Sequence, residues 1–461
     1  MFDVGLRTDT NSFPFARHIP VSNWPYPFDI DTSPHRSSLS ALEEIDWPSV
    51  GRRAAYFHVP FCDTICTFCP FIKGHYRGGS VVEDYLRAML RELQLKRPYV
   101  GKLKVDSIFI GGGSPSILTA SQIARLGEGI HTHFDNSNLK EFAVEIEVKS
   151  VTREKLMAFK EIGVNRISFG VQTFSRTYRK VFHLDAELTQ ILCVAEWANE
   201  LFPYTNIDMI YGIAGQQVED VVEDALNAAQ LGTTTIDFYV LNNLAAQKKM
   251  HSTLNDLGLQ PSTAAHRIEQ RKRIAHQMLS SGYARINGYS YALRQGSTEQ
   301  LIQSSPCFLY HDILYGYHDD TVVGYGASAF TLVPGYNLYN VFGRQEYSSA
   351  VLSRNTLPSI VHHVGERSEK GIVTFPYRGG LAKSRIPWGT VPQETVDALD
   401  QLVNAGLVVE NPTTFDLSEA GWLYYVNLMY FLMPTDSKLW LSEEIAARIK
   451  AGRECENMEF T

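Results

Sequence analysis

From about residue 51 the chain alternates between two hydrophobic periods. Short apolar runs at Ala54 to Val59, Ser107 to Ile110, Phe142 to Val148, Arg166 to Phe169, Asn206 to Ile210 and Thr235 to Leu241 read as buried strands. Between them, Val82 to Leu95, Ser121 to His131, Thr152 to Ile162, Ala186 to Leu201 and Val218 to Gln230 carry apolar residues at helical spacing. Strand and helix in strict succession predict an α/β fold: a parallel sheet with helices outside, curled into a partial (β/α)6 barrel. In such a barrel, chemistry belongs at the C-terminal ends of the strands.

The pattern changes on either side of this core, which spans residues 51–265. Residues 1–50 place Pro14, Pro20, Pro25, Pro27, Pro34 and Pro48 among Ser and aromatic residues, which predicts an extended arm along a domain surface. Residues 266–365 read as a barrel extension and substrate region, with a helix over 264–285 and a Tyr- and Gly-rich segment that includes Gly324 to Phe330. A Gly- and Pro-bearing stretch, 366–392, leads to a helix at Gln393 to Ala405 that Gly406 ends. Then come a hairpin through Leu407 to Glu410 and Phe415 to Leu417, and a helix from Glu419 to Met433. Residues 366–445 thus predict a winged-helix-like α+β module.

Charge narrows its role. Lys plus Arg is 42 and Asp plus Glu is 50, a net −8, with no block of like charge. The module itself carries Glu394, Asp397, Asp400 and Glu410, so a lid or structural part fits better than nucleic-acid binding. No run reaches the ~20 apolar residues that span a bilayer, and the start, Met1-Phe2-Asp3-Val4, lacks the regions of a signal peptide. A cytoplasmic protein acting on a small molecule, without nucleic acid or membrane, is the expectation.

Of six cysteines, Cys62, Cys66 and Cys69 fall on one short loop directly after the first strand. In a reducing compartment that clustering reads as metal ligation. Three thiolates hold three corners of an iron–sulfur cubane and leave its fourth iron open. Structural zinc takes four ligands, and Cys193, Cys307 and Cys455 are isolated; His58 is the one neighbour able to complete a Cys3His set, at poor spacing.

The Cys62-x3-Cys66-x2-Cys69 loop resembles the signature of radical S-adenosylmethionine (SAM) enzymes. The surrounding Tyr56-Phe57-His58-Val59-Pro60-Phe61 is similar to the subgroup containing oxygen-independent coproporphyrinogen III oxidase. Collinear matches follow at Gly111-Gly112-Gly113-Ser114-Pro115-Ser116, at Gly163 to Phe174 and at Asn206 to Gly212, so the resemblance runs from about 50 to 435. It implies a radical SAM barrel and a 4Fe-4S cluster on the three cysteines. SAM is chelated at the open iron and cleaved reductively to methionine and a 5'-deoxyadenosyl radical. It also implies an electron donor such as flavodoxin or ferredoxin.

By resemblance, Gly112, Gly113, Ser114, Glu145, Gln172, Asp208 and Ile210 fall to the first SAM, and Tyr56 and the Gly324 to Phe330 segment, with Ala329, to the second SAM or substrate. Each position has a plainer reading as turn, strand end or core. No residue is singled out as catalytic proton or hydrogen donor. Three departures matter. Leu184 stands where relatives carry Arg, with Arg176, Arg179 or Lys180 as substitutes. The loop after Cys69 reads Pro70-Phe71-Ile72-Lys73-Gly74, where the porphyrinogen oxidases have a further Cys. Finally, His311-Asp312-Ile313-Leu314-Tyr315-Gly316 only partly keeps the His-Asn-x-x-Tyr-Trp motif of the related heme chaperones. These point to the class C methyltransferases and cyclopropanases of the same subgroup. The expectation is methyl or methylene transfer, using two SAM molecules, to an sp2 carbon of an aromatic or tetrapyrrole substrate. Oxidative decarboxylation of a porphyrinogen and heme delivery are the alternatives.

Overall fold

The computed structural model describes residues 51–450 apart from 70, 72, 77, 102, 243–246, 295–307 and 358, together with 6, 14–19, 25–29, 42, 43, 45 and 47 of the N-terminal arm. Six strands form the barrel: β1 (Arg53–Val59), β2 (Ser107–Gly112), β3 (Glu141–Ile146), β4 (Arg166–Gln172), β5 (Tyr204–Tyr211) and β6 (Thr235–Val240). They pair in parallel in chain order. The connecting helices are α1 (Gly79–Val100), α2 (Ala120–His133), α3 (Arg153–Glu161), α4 (Arg176–Phe182), α5 (Leu188–Leu201) and α6 (Val218–Gln230). Local signals set their starts: Thr119 and Gln122 form a reciprocal capping box at α2, and Thr152 caps α3. The main apolar core lies between the strands and this outer layer.

The sheet continues past both ends of the barrel. At one end β7 (Tyr283–Arg285) and β8 (Ser290–Leu293) join antiparallel to β6; at the other β9 (Thr321–Tyr325) runs parallel to β1 and leads into β10 (Phe330–Val333), β11 (Gly335–Asn340) and β12 (Ser359–Gly365). The helix expected over 264–285 stops at Ser280. Gly282, at φ 85°, turns the chain so that Tyr283–Arg285 forms an edge strand instead.

The C-terminal module has three antiparallel strands, β13 (Gly380–Ala382), β14 (Val408–Glu410) and β15 (Thr414–Leu417), packed with helices Lys370–Arg378 and Gln393–Asn404 in a winged-helix-like arrangement. Lys370–Arg378 is a helix inside the Gly- and Pro-bearing stretch 366–392: Ile372, Val373, Phe375 and Tyr377 are all buried, and this packing outweighs the cost of Pro376. The expected Glu419 to Met433 helix breaks at Tyr424 into Glu419–Leu423 and Tyr425–Leu432. Described parts of the arm are built into this module's core. Phe15 and Phe28 are buried, Phe28 stacks on Trp440 at 4.5 Å, and Asn427 Nδ2 donates to the Arg17 carbonyl at 2.6 Å. Among the described residues no helix is long and apolar enough to cross a membrane.

Candidate active site

The cysteine loop leaves β1 through Pro60 and is pinned on two sides. Phe61–Cys62 pairs with Gly74–His75, and the Tyr76 N–H donates to the Cys62 carbonyl at 2.9 Å. Across the mouth, the Thr67 N–H and hydroxyl donate to the Phe182 and Val181 carbonyls at 3.1 and 2.7 Å, tying the loop to the end of α4. Beneath it passes the Gly111-Gly112-Gly113 turn at the end of β2. A Cβ on Gly113 would sit 2.6 Å from the Phe61 carbonyl oxygen, so only glycine lets the two loops meet.

All three thiols face one cavity of about 620 Å³. Burial, the Glu147 carboxylate and the neighbouring thiols push Cys62 up to about 12, and burial with the same neighbours does so for Cys66. A bound cationic metal centre would reverse that preference and hold the sulfurs as thiolates. Among the described residues no trio of His, Cys, Asp or Glu is grouped as a single-ion site. Three thiols on one loop, facing one cavity, suit a group with three sulfur corners. His58 Nδ1 is engaged by Tyr56 Oη at 2.6 Å.

The cavity floor is acidic. Glu145, Asp208 and Asp237 project from β3, β5 and β6. Burial raises Glu145 to about 7, offset only in part by the Gly112 N–H, and burial raises Asp237 to about 6. Burial and the Asp237 and Glu145 charges raise Asp208 well above the carboxylate range. Asn206 Nδ2 bridges the pair, 2.9 Å from Asp208 Oδ1 and 3.4 Å from Asp237 Oδ2. Three acceptor oxygens along the wall, Asp237 Oδ1, Glu147 Oε2 and Asn242 Oδ1, are buried with no partner among the described residues. A ligand rich in N–H and O–H donors, as SAM is with its ammonium and ribose hydroxyls, fits such a wall.

Gln172 reaches the cavity because β4 bulges: its φ is 68°, and the register with β5 slips between Gly170 and Gln172. The amide folds back over Gly170, where a Cβ would lie 2.3 Å from Gln172 Nε2. Tyr56, Cys62, Cys66, Cys69, Gly112, Gly113, Ser114, Glu145, Gln172, Asp208 and Ile210 thus share one cavity. In the Gly324 to Phe330 segment the wall is formed by Ser328 and Phe330; Ala329 lies between them at 1% exposure. Of the basic residues proposed for the Leu184 position, Arg179 is turned inward and donates to the carbonyls of Val171, Thr173 and Ala186, whereas Arg176 and Lys180 are exposed. Leu184 itself lines the cavity.

The inner wall was not assigned from the sequence. Asp237, Tyr239, Phe308, Tyr310 and Tyr377 complete it, with Arg166 from the start of β4. One signal was present: Asp237 is a lone carboxylate inside the apolar run Thr235 to Leu241. Since Arg166 opens its strand while Cys62 follows the end of β1, the cavity runs the length of the barrel.

A parallel α/β barrel that gathers three thiols over a buried, donor-seeking wall defines a site built for a sulfur-bound cofactor and a donor-rich ligand. Residues 56–226 match the Radical SAM superfamily, and the chain carries a domain of that superfamily there. The family implies a 4Fe-4S cluster and SAM. Among relatives, the heme chaperone HemW of Bacillus subtilis is 26% identical over 338 residues, covering 71% of this chain and 78% of the chaperone. Anaerobilin synthase of Escherichia coli O157:H7 is 27% identical over 391 residues, covering 83% of this chain and 84% of that enzyme. The structure of coproporphyrinogen III oxidase from Escherichia coli, a radical SAM enzyme, shares the fold, with a TM-score of 0.72 at 22% identity over 86% of this chain and 93% of that one.

Proposed function

We propose that this protein is a radical SAM enzyme acting on a tetrapyrrole of the heme and porphyrinogen class. The observation that carries the reading is the cavity of about 620 Å³, which leads from the three thiols to an aromatic inner wall of Tyr56, Phe109, Phe308, Tyr310, Tyr315 and Tyr377. Such a wall suits a broad conjugated or pyrrolic ring system. The names of the relatives, heme chaperone, anaerobilin synthase and coproporphyrinogen oxidase, share that chemistry.

Cys62, Cys66 and Cys69 would hold the cluster, and Gly112, Gly113, Ser114, Glu145, Gln172, Asp208 and Ile210 would hold SAM. Bound together, these groups supply a carbon radical that takes hydrogen from a C–H bond. The chain's part is to exclude water with the aromatic wall and to orient SAM with the acidic floor. The relatives named coproporphyrinogen III oxidase favour hydrogen abstraction with oxidative decarboxylation, and those named heme chaperone favour heme binding. Methyl or methylene transfer from a second SAM to an sp2 carbon is the second reading, favoured by Phe71 and Leu184, which stand where the oxidase pattern has Cys and Arg.

The test is anaerobic turnover of the reconstituted protein with SAM, dithionite and either coproporphyrinogen III or heme. 5'-Deoxyadenosine should rise only when a tetrapyrrole is present. Carbon dioxide beside it marks decarboxylation; S-adenosylhomocysteine marks methyl transfer. Release of 5'-deoxyadenosine that no tetrapyrrole stimulates overturns the proposal.

A further inference from the structure

At the inner end of the cavity lies a hydrogen-bonded chain. Tyr377 Oη donates to Tyr289 Oη, and His311 Nδ1 lies 2.9 Å from Tyr289 Oη and 3.4 Å from Tyr377 Oη. The Tyr289 oxygen accepts from Tyr377, and in the tautomer that takes the Tyr289 proton at Nδ1 the ring proton sits on Nε2. Among the described residues none bonds to Nε2, and His311 and Tyr377 both line the cavity. Tyr239 stacks on Tyr289 at 4.7 Å and Tyr315 on Tyr377 at 3.9 Å, which holds the chain in one geometry. Arg166, paired with Glu141 Oε2 at 4.0 Å and donating to Thr235 Oγ1 at 2.9 Å, lays its guanidinium over the Phe308 ring at 5.4 Å; that ring lies 4.4 Å from the imidazole. Burial and the Arg166 charge lower His311 to about 3, so the imidazole is neutral at working pH.

We propose that this end of the cavity is a subsite for a carboxylate arm of the substrate, anchored by the Nε2–H of neutral His311 in the field of Arg166. The subsite rests on the tetrapyrrole reading and deepens it: side-chain carboxylates are the acceptors such molecules carry. A neutral donor beside a buried cation favours an anion without adding a second buried charge. Tyr289 acts as a positioning residue, fixing the tautomer that points the proton into the cavity.

Binding of metal-free mesoporphyrin IX and of its dimethyl ester to the full chain, followed anaerobically by absorbance, tests this. The wild type should bind the diacid about tenfold or more tightly than the diester. His311→Phe and Tyr289→Phe should each bring the ratio of diacid to diester affinity most of the way towards one. His311→Gln, which keeps a donor, should retain part of the preference. Equal binding of diacid and diester by the wild type, or equal loss of both in the variants, overturns the subsite alone. Loss with heme but not with the metal-free ring overturns it in favour of iron ligation. Failure of the wild type to bind either ring overturns the tetrapyrrole reading together with the subsite.

Discussion

Two groups of buried carboxylates lie on opposite sides of β1 and are treated in opposite ways. Behind the Gly324 to Phe330 turn, Glu92 of α1 is fully buried yet saturated. It pairs with Lys96 at 2.6 Å and accepts from the Gly326 N–H, Tyr347 Oη and Asn340 Nδ2 at 2.8, 2.6 and 2.8 Å. Inside the barrel, Glu145 accepts from the Gly112 N–H and Asp208 from Asn206, while Asp237 accepts at Oδ2 from Asn206 and Tyr239 and its Oδ1 has no partner among the described residues. The first group builds the fold: it fixes a turn whose Ser328 adopts φ 64° and faces the cavity. The second holds back its hydrogen-bonding capacity for a ligand, at a cost in stability.

The contrast can be broken first at the thiols. Cys66→Ser should abolish turnover and prevent assembly of a full cluster, read as lost iron and sulfide, while thermal unfolding of the metal-free protein stays near wild type. Cys66 sits on a surface loop whose fold rests on backbone bonds. Glu92→Ala should do the reverse. It leaves the Lys96 ammonium buried without its partner, so a loss of about 3–5 kcal/mol is expected, seen as a lower denaturation midpoint.

Glu145→Gln separates the roles within the cavity. The folded, ligand-free protein holds the Glu145 proton more tightly than the unfolded chain, with a value of about 7 against 4.5. Stability therefore falls as pH rises from 4.5 to 7, by about 3 kcal/mol in all. The amide escapes that cost: the variant should be more stable than wild type at pH 8, with the difference shrinking by pH 5, while SAM binding by calorimetry weakens.

A smaller effect of opposite sign belongs to Asp320. Burial alone would raise it, but hydrogen bonds and charge from Arg52 hold it at about 2, against 3.8 when exposed. This pair contributes about 2 kcal/mol above pH 4 and loses it as pH falls from 4 towards 2. Urea titrations of the wild type and Asp320→Asn at pH 7 and pH 3 should show the gap between them narrow on acidification.

Much of this was legible along the chain. The six barrel strands and five of their helices followed from the two hydrophobic periods, because both faces of each strand are buried and each helix buries one stripe. The cysteine loop and the Gly111 to Gly113 turn were legible because their chemistry is local: spacing alone places three thiols on one loop, and only glycine permits the close approach. What escaped notice shows the limit. Tyr377 sits in a helix hidden by Gly371, Pro376 and Gly379, and that helix forms because its apolar face meets the arm and the C-terminal helices. Ala329 and Phe330 are adjacent and equally apolar, but the turn decides which one reaches the wall.

The sequence by itself determined the barrel, the three-thiol loop and the motif residues at the strand ends, since each depends on neighbours within a few positions. Only the tertiary structure decided that Asp237 would stand beside Asp208 with its Oδ1 lacking a partner among the described residues, and that Tyr289, His311 and Tyr377 would join into one chain. These residues come from three separate stretches of the chain, and their meeting depends on strand order and helix packing, which no local pattern encodes.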